Sequence, residues 1–337
     1  MDQKTNLPRP LRIAIPDDYQ DAVRDLDALS ILSGHQVDIY TDLVKNIDHL
    51  AARLKHADVL VPIRERSIID EALLSRLPNL RLISQTGKGV THIDIEACTR
   101  RGIAVAASGG SSYAPAELTW ALVLASARRL PQEVANARAG KWQRETIGTS
   151  LRGRTLGILG YGSIGKIVAG YGKAFGMRVL IWGREGSLSR AADDGFEAAE
   201  SKEDFFRRSD VLTVHLRLNA ETRWGISAAD LASMKPTATL VNTSRADLIE
   251  TGALAAALQA GRPGFAAVDA YEEEPAIEHP LFSMRNVVCS PHLGYVEKDT
   301  YEIFFGGAFD NVIAFEKGAP TNLINPDVLT TTGGRQA

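Results

Sequence analysis

Cysteine is scarce in this sequence: among 337 residues there are two, Cys98 and Cys289. No CxxC pair exists, which argues against a disulfide framework or a structural zinc site. An excess of basic charge is also missing. Lys and Arg number 38 against 41 Asp and Glu, a net charge of -3, so no positive field points to nucleic acid. No run approaches the roughly 18 apolar residues needed to span a bilayer. The opening stretch, Met1 to Pro10, is polar and lacks an apolar signal core. These absences predict a cytoplasmic, reduced protein with neither a membrane nor a nucleic-acid partner. What remains is ordinary globular composition, 45% hydrophobic and 23% charged, at a length that suits two domains.

Short apolar runs alternate with helical patterns twice over. The first set of strands is expected at Leu11–Pro16, Gln36–Tyr40, Ala57–Pro62, Arg81–Gln85 and Gly102–Ala106. The second is expected at Thr155–Leu159, Arg178–Trp182, Val211–Leu216, Thr239–Asn242, Phe265–Asp269 and Val287–Ser290. Between the runs, Ile47–Lys55, Asp70–Leu77, Ile164–Phe175, Lys202–Arg207, Ala228–Met234 and Leu254–Ala260 read as helices. Continuously apolar strands separated by helices mean parallel sheets covered on both faces. The fold class is therefore α/β, with two doubly wound parallel-sheet domains. Ala116–Leu130 is apolar nearly all round and is expected to be buried between units or between subunits, with Pro115 in its first turn. Asp299–Lys317 could return the chain to the first unit, so that the second is inserted into a discontinuous first domain. Residues 331–337 read as a frayed tail.

Gly160-Tyr161-Gly162-Ser163-Ile164-Gly165 follows one apolar strand, opens a helix and precedes a second strand. That βαβ context turns a weak GxGxxG pattern into a dinucleotide-binding fingerprint. Gly160 permits the tight turn, Gly162 a close approach of backbone to pyrophosphate, and Gly165 close packing of helix on strand. Ser163 and Ile164 begin the helix, whose free N–H groups and partial positive charge suit phosphates. The second strand should end in an acid that binds the ribose hydroxyls of NAD. Here Gly183 stands in that place and Arg184 follows. Losing the carboxylate removes repulsion against a 2′-phosphate, and a guanidinium can bind one. NADP is therefore favoured over NAD, with Glu185 the alternative ribose ligand and a solvated surface charge the plainer reading of Arg184.

Three further residues sit beyond strand carboxyl ends, where open α/β sheets bind ligands. They are Arg245 after Thr239–Asn242, Glu274 after Phe265–Asp269, and His292 after Val287–Ser290. A cation for a carboxylate, an acid for a carbonyl oxygen and a carboxylate that tunes the acid are what reduction of a 2-oxo acid requires. The remaining histidines, His35, His49, His56, His92, His215 and His279, show no metal-ligand spacing, and no metal is expected.

With these residues in view, the sequence resembles the D-isomer-specific 2-hydroxyacid dehydrogenase family, which includes phosphoglycerate dehydrogenases and glyoxylate/hydroxypyruvate reductases. The stretches that carry the resemblance are 156–165, Leu-Val-Asn-Thr-Ser-Arg (240–245), Val-Asp-Ala-Tyr-Glu-Glu-Glu-Pro (268–275) and Ser-Pro-His-Leu-Gly (290–294). A weaker match covers 86–94 and Ala-Glu-Leu (116–118), and the likeness runs from about Arg12 to about Asn322. The resemblance implies a flavodoxin-like substrate domain over 1–113 and 296–330, a Rossmann domain over 114–295, and a homodimer. It implies that Arg245 holds the substrate carboxylate and carbonyl, that His292 is the acid/base, and that Glu274 is its partner. It places Asp269 near the nicotinamide, Thr243 and Ser244 as backbone contacts to the cofactor, and Lys88, Gly89 and Val90 in the loop that grips the substrate carboxylate. Arg217 and Gly294 are further candidate cofactor contacts.

Five positions depart from the family pattern: Lys88 where a small or apolar residue is usual, Thr91 for Asp, Arg217 for Pro, Ala246 for Gly, and Tyr295 for a frequent second Gly. Lys88 adds positive charge to a loop whose glycines are expected to leave N–H groups open to a carboxylate. Its plainer reading is a solvated surface charge. The expected activity is hydride transfer between NAD(P)H and a small 2-oxo/2-hydroxy acid, as in a glyoxylate or hydroxypyruvate reductase. An NAD-dependent phosphoglycerate dehydrogenase is the second reading, disfavoured by the missing ribose acid and by the lack of a regulatory domain after residue 330. A dinucleotide-sensing binding module or corepressor is the third, disfavoured by an intact Arg245, Glu274 and His292.

Overall fold

A computed structural model describes residues 9–331. The chain forms two units, Met1–Ser111 with Glu297–Ala337, and Ser112–Val296. Along the chain run β1 (Arg12–Ile15), β2 (Gln36–Ile39), α1 (Ile47–Leu54), β3 (Val59–Leu60), α2 (Glu71–Leu74), β4 (Leu82–Gln85), α3 (Ile95–Arg100) and β5 (Ala104–Ala107). The second unit contains α4 (Tyr113–Arg128), α5 (Leu130–Arg138), β6 (Thr155–Leu159), α6 (Ser163–Ala174), β7 (Arg178–Trp182), α7 (Glu185–Asp193), β8 (Glu197–Ala198), α8 (Lys202–Arg208) and β9 (Val211–Val214). It continues with α9 (Ala228–Ser233), β10 (Thr239–Asn242), α10 (Ala253–Gln259), β11 (Phe265–Val268) and β12 (Val287–Cys289). Then α11 (Lys298–Glu316) and α12 (Val328–Thr331) belong to the first unit. Beyond Thr331, the tail expected over 331–337 lies outside the described residues.

The first unit has a five-stranded sheet in the order β2-β1-β3-β4-β5, and the second a seven-stranded sheet in the order β12-β11-β10-β9-β6-β7-β8. Every pairing in both sheets is parallel. In the larger sheet the strand order reverses between β6 and β9, the place where doubly wound sheets open a crevice beyond their carboxyl ends. Buried side chains cover both faces of this sheet. Leu212, Val214, Leu240 and Ala266 pack with Phe205 and Phe206, whereas Ile158, Val241 and Ala267 pack with Ala116, Trp120 and Val123 of α4.

That last contact gives α4 its nearly all-round apolar character: within its own unit it lies over the sheet and against α6. Glu117, Ala121 and Arg128 face solvent. The long helix ends where Arg129 takes a left-handed conformation, φ 55°, and Pro131 then starts α5. The apolar pattern carried no sign of α5, which buries no residue, nor of α7, which buries only Ala191.

Candidate active site

Strand register sets out the site of the second unit. Leu159 of β6 pairs with Trp182 of β7 and with Val214 of β9, so the turns that follow these strands are neighbours. The Gly160 N–H donates to the Trp182 carbonyl at 2.8 Å. On the other side, Asn242 pairs with Val268 and Val268 with Cys289, so Arg245, Asp269 and His292 all follow the carboxyl ends of adjacent strands.

His292 takes a left-handed conformation, φ 53°, uncommon for a residue with a side chain. Its Nδ1 lies 2.5 Å from Glu274 Oε2, and its ring meets Tyr295 edge-on, centroids 5.6 Å apart. Glu274 Oε1 accepts the Tyr271 N–H at 3.0 Å. Burial pushes the Glu274 carboxyl upward. The bond to His292, the His292 charge, the Tyr271 N–H and the Arg245 charge outweigh it and hold the pKa below the ordinary value. An imidazole so held has one nitrogen on a carboxylate and the other available to a ligand, the arrangement that orients a general acid.

Asp269 is almost completely buried and organises the loop that carries His292. It accepts the Ser290 hydroxyl, the Leu293 N–H at 2.7 Å and the Gly294 N–H at 2.9 Å. Burial raises its pKa, more than these bonds lower it. The Gly294 amide is thus engaged by Asp269, and the residue itself is buried. The hydroxyls of the two adjoining candidates brace the sheet: Thr243 Oγ1 lies 2.6 Å from Thr119 Oγ1, and Ser244 Oγ donates to the Val214 carbonyl at 2.7 Å. Arg217, past β9, is exposed. Asn242, Tyr271, Ser290 and Thr119, which complete this scaffold, are strand, helix and turn residues with no sequence signal beyond their place in the motifs.

The glycine loop fits a dinucleotide. Gly160 has φ 94°, and a side chain there would strike the His215 carbonyl at 2.8 Å. At Gly165 a Cβ would lie 2.3 Å from the Gly160 carbonyl, whereas at Gly162 it would meet nothing within 4 Å. Open space at Gly162 is a cradle that a Cβ would fill. No side chain caps α6, whose N-cap is Gly162, so the first-turn N–H groups of Ser163 and Ile164 suit a pyrophosphate. Beyond β7, Gly183 faces Ser187, and Arg184 is exposed as the N-cap of α7. Two residues unforeseen from sequence grip the loop from α7 and its C-cap. Arg190 donates to the Tyr161 carbonyl at 3.3 Å, and Asp194 accepts the Tyr161 hydroxyl at 2.7 Å.

In the first unit, the loop after β4 is more committed than its glycines suggested. The Gly87 N–H donates to Ser108 Oγ at 2.8 Å, so it is not open to a carboxylate. A Cβ at Gly87 would collide with the Arg64 guanidinium, and one at Gly89 with the Glu65 carboxylate. These glycines make room for the protein's own Arg64 and Glu65. Lys88 is exposed, and Val90 is half-buried against the apolar core.

Comparison with known proteins accords with this geometry. Residues 120–294 match the family model described as "D-isomer specific 2-hydroxyacid dehydrogenase, NAD binding domain". The chain is 42% identical over 291 residues to a glyoxylate reductase of Aeropyrum pernix, covering 83% of this chain and 86% of that one. It is 36% identical over 278 residues to a D-3-phosphoglycerate dehydrogenase of Methanocaldococcus jannaschii, covering 82% of this chain and 52% of that one. A solved structure from Ralstonia solanacearum, provisionally named a D-3-phosphoglycerate dehydrogenase oxidoreductase, matches with a TM-score of 0.93 at 52% identity, over 95% of this chain and 98% of that one. No helix among the described residues is long and apolar enough to cross a membrane. The chain therefore belongs to the D-isomer specific 2-hydroxyacid dehydrogenase family, NAD(P)-dependent oxidoreductases that interconvert 2-oxo and 2-hydroxy acids.

Proposed function

We propose that this protein reduces a small 2-oxo acid such as glyoxylate or hydroxypyruvate, with NADPH preferred over NADH. The observation that carries the reading is the His292–Glu274 pair, with Arg245 close enough to lower the Glu274 pKa. A reduced nicotinamide, when bound, would supply a hydride, that is one proton with two electrons, to C2 of the substrate. Arg245 holds the substrate carboxylate and polarises the carbonyl. His292 gives its Nε2 proton to the carbonyl oxygen as the C=O π pair moves onto that atom, and then takes a proton back from solvent. Glu274 keeps Nδ1 engaged, which fixes the ring and leaves Nε2 toward the substrate. Lys88, Gly89 and Val90 are assigned to the substrate carboxylate, and Thr243, Ser244, Arg217 and Gly294 to the cofactor.

The NADPH preference rests on Gly183 in place of an acid and on Arg184 beside it. A homodimer is supported by apolar side chains left open on α5 and the segment after it: Leu130 and Val134, with Trp142 78% and Ile147 95% exposed. Two free thiols, Cys98 and Cys289, accord with a cytoplasmic location. The experiment is steady-state turnover of glyoxylate and hydroxypyruvate with NADPH and with NADH, beside oxidation of 3-phosphoglycerate with NAD+. The last arm is included because the Ralstonia structure carries that name at 52% identity. The reading predicts the highest kcat/KM for a 2-oxo acid with NADPH. Faster phosphoglycerate oxidation with NAD+ overturns it, and no turnover in any arm would make the site a binding module.

A further inference from the structure

We infer that Arg190, with Ser187, forms the second half of a site for the 2′-phosphate of the dinucleotide, an inference that rests on the NADPH reading above. In sequence Arg190 is six residues past Arg184 and belongs to no motif. The fold brings it back to the glycine loop. Its Nη2 donates to the Tyr161 carbonyl at 3.3 Å and to Ser187 Oγ at 3.2 Å. Its Nη1 runs along the first turn of α7, 3.6 Å from where a Cβ on Gly186 would stand. Ser187 in turn lies 3.4 Å from where a Cβ on Gly183 would stand, and that same point is 3.7 Å from the Gly160 Cα. Position 183 is where an acid would meet ribose hydroxyls. The chain of contacts from Gly183 through Ser187 to Arg190 therefore puts a guanidinium within about two hydrogen-bond lengths of the place that the carboxylate vacates.

Charge balance points the same way. Asp194, the C-cap of α7, is taken by Lys166 and Tyr161. Neither Arg184 nor Arg190 has a carboxylate partner among the described residues. Arg190 thus stands at a glycine-lined edge with the Ser187 hydroxyl bonded to it and with Arg184 at the N-cap of the same helix, neither guanidinium held in an ion pair. A phosphate dianion is the ligand chemistry this suits: it accepts from both guanidinium groups and from the hydroxyl, and it supplies the missing negative charge. A ribose hydroxyl, which is neutral, would use none of that charge.

The test measures binding rather than turnover. Adenosine 2′,5′-bisphosphate and 5′-AMP are titrated calorimetrically into wild type, Arg190→Met, Arg190→Lys and Ser187→Ala at low ionic strength. Arg190→Met should weaken the bisphosphate about 10-fold or more, the usual size for a hydrogen bond to a charged group, and leave 5′-AMP within about twofold. Arg190→Lys should recover much of the loss, and Ser187→Ala should lose less than Arg190→Met. Added salt should narrow the gap. Equal weakening of both probes by Arg190→Met would make Arg190 only a brace for Tyr161 and overturn the inference. So would an Arg190→Met protein that still prefers the bisphosphate as strongly as wild type. A wild type that binds the two probes equally would instead overturn the NADPH reading itself.

Discussion

Gly165→Ala and Gly162→Ala differ by three positions in one turn, yet the structure predicts opposite kinds of damage. A methyl group at Gly165 would stand 2.3 Å from the Gly160 carbonyl oxygen and 3.2 Å from Ile158 Cγ2. The first obstacle is backbone in the tight turn and cannot rotate away. Helix α6 must move off β6 by several tenths of an ångström, in a core where Val168 and Ala169 are completely buried. Overpacking of this kind costs about 1–3 kcal/mol. In a unit the size of Ser112–Val296, each kcal/mol lowers Tm by roughly 2–4 °C, so the loss should be about 2–12 °C, and the displaced helix should bind dinucleotide poorly. At Gly162 a methyl group meets nothing within 4 Å, and the backbone, φ -95°, suits alanine. Gly162→Ala should fold with wild-type Tm but lose dinucleotide affinity, because the methyl occupies the pyrophosphate's approach. Differential scanning calorimetry and quenching of tryptophan fluorescence by NADPH read the two effects separately. The reasoning is refuted if Gly165→Ala keeps the wild-type Tm, or if Gly162→Ala binds NADPH as tightly as wild type.

Replacing His292 with Asn should lower kcat by on the order of 10²–10⁴, the usual contribution of a general acid; a loss of only a few-fold would remove His292 from that role. Glu274→Gln takes away the carboxylate that holds His292 Nδ1, so kcat should fall by on the order of tenfold or more while KM changes little, and an unchanged kcat would count against the pair. Burial pushes His92 down to about 4 and His215 down to about 3. Both are neutral when folded, and the unfolded chain binds more protons below about pH 6.5, so stability should fall as pH drops from there toward 4. His215→Asn, which can keep a polar contact to Thr213, should lose less Tm than wild type between about pH 7 and pH 4.5, and an equal loss would show that His215 does not contribute. For Lys88, exposed in the loop after β4, Lys88→Ala should reduce kcat/KM on dianionic 2-oxo acids far more than on glyoxylate; equal losses would leave it a surface residue.

Much of this protein was determined by local sequence. Apolar runs of strand length separated by helical periodicity can be satisfied only by parallel sheets covered on both faces, and all eleven expected strands form, with ends trimmed by a residue or two at most sites. The glycine loop was legible for the same local reason: φ 94° at Gly160 and the 2.3 Å approach at Gly165 tolerate no side chain, so composition alone marks the turn. Arg245, Glu274 and His292 could be singled out as candidates because each lies past a strand in a motif of characteristic spacing, and the structure pairs His292 with Glu274. The tertiary structure decided what depends on side chains far apart in sequence. Asp269 meets Ser290, Leu293 and Gly294 only because β11 and β12 pair in register, and that places the carboxylate under the His292 loop. The glycines after β4 leave room for the Arg64 and Glu65 side chains, a close packing that periodicity cannot express. Helices α5 and α7 bury almost nothing, so they left no apolar stripe to read. Yet α7, packed on β7 and β8 next to the glycine loop, and its C-cap bring Arg190 and Asp194 to Tyr161.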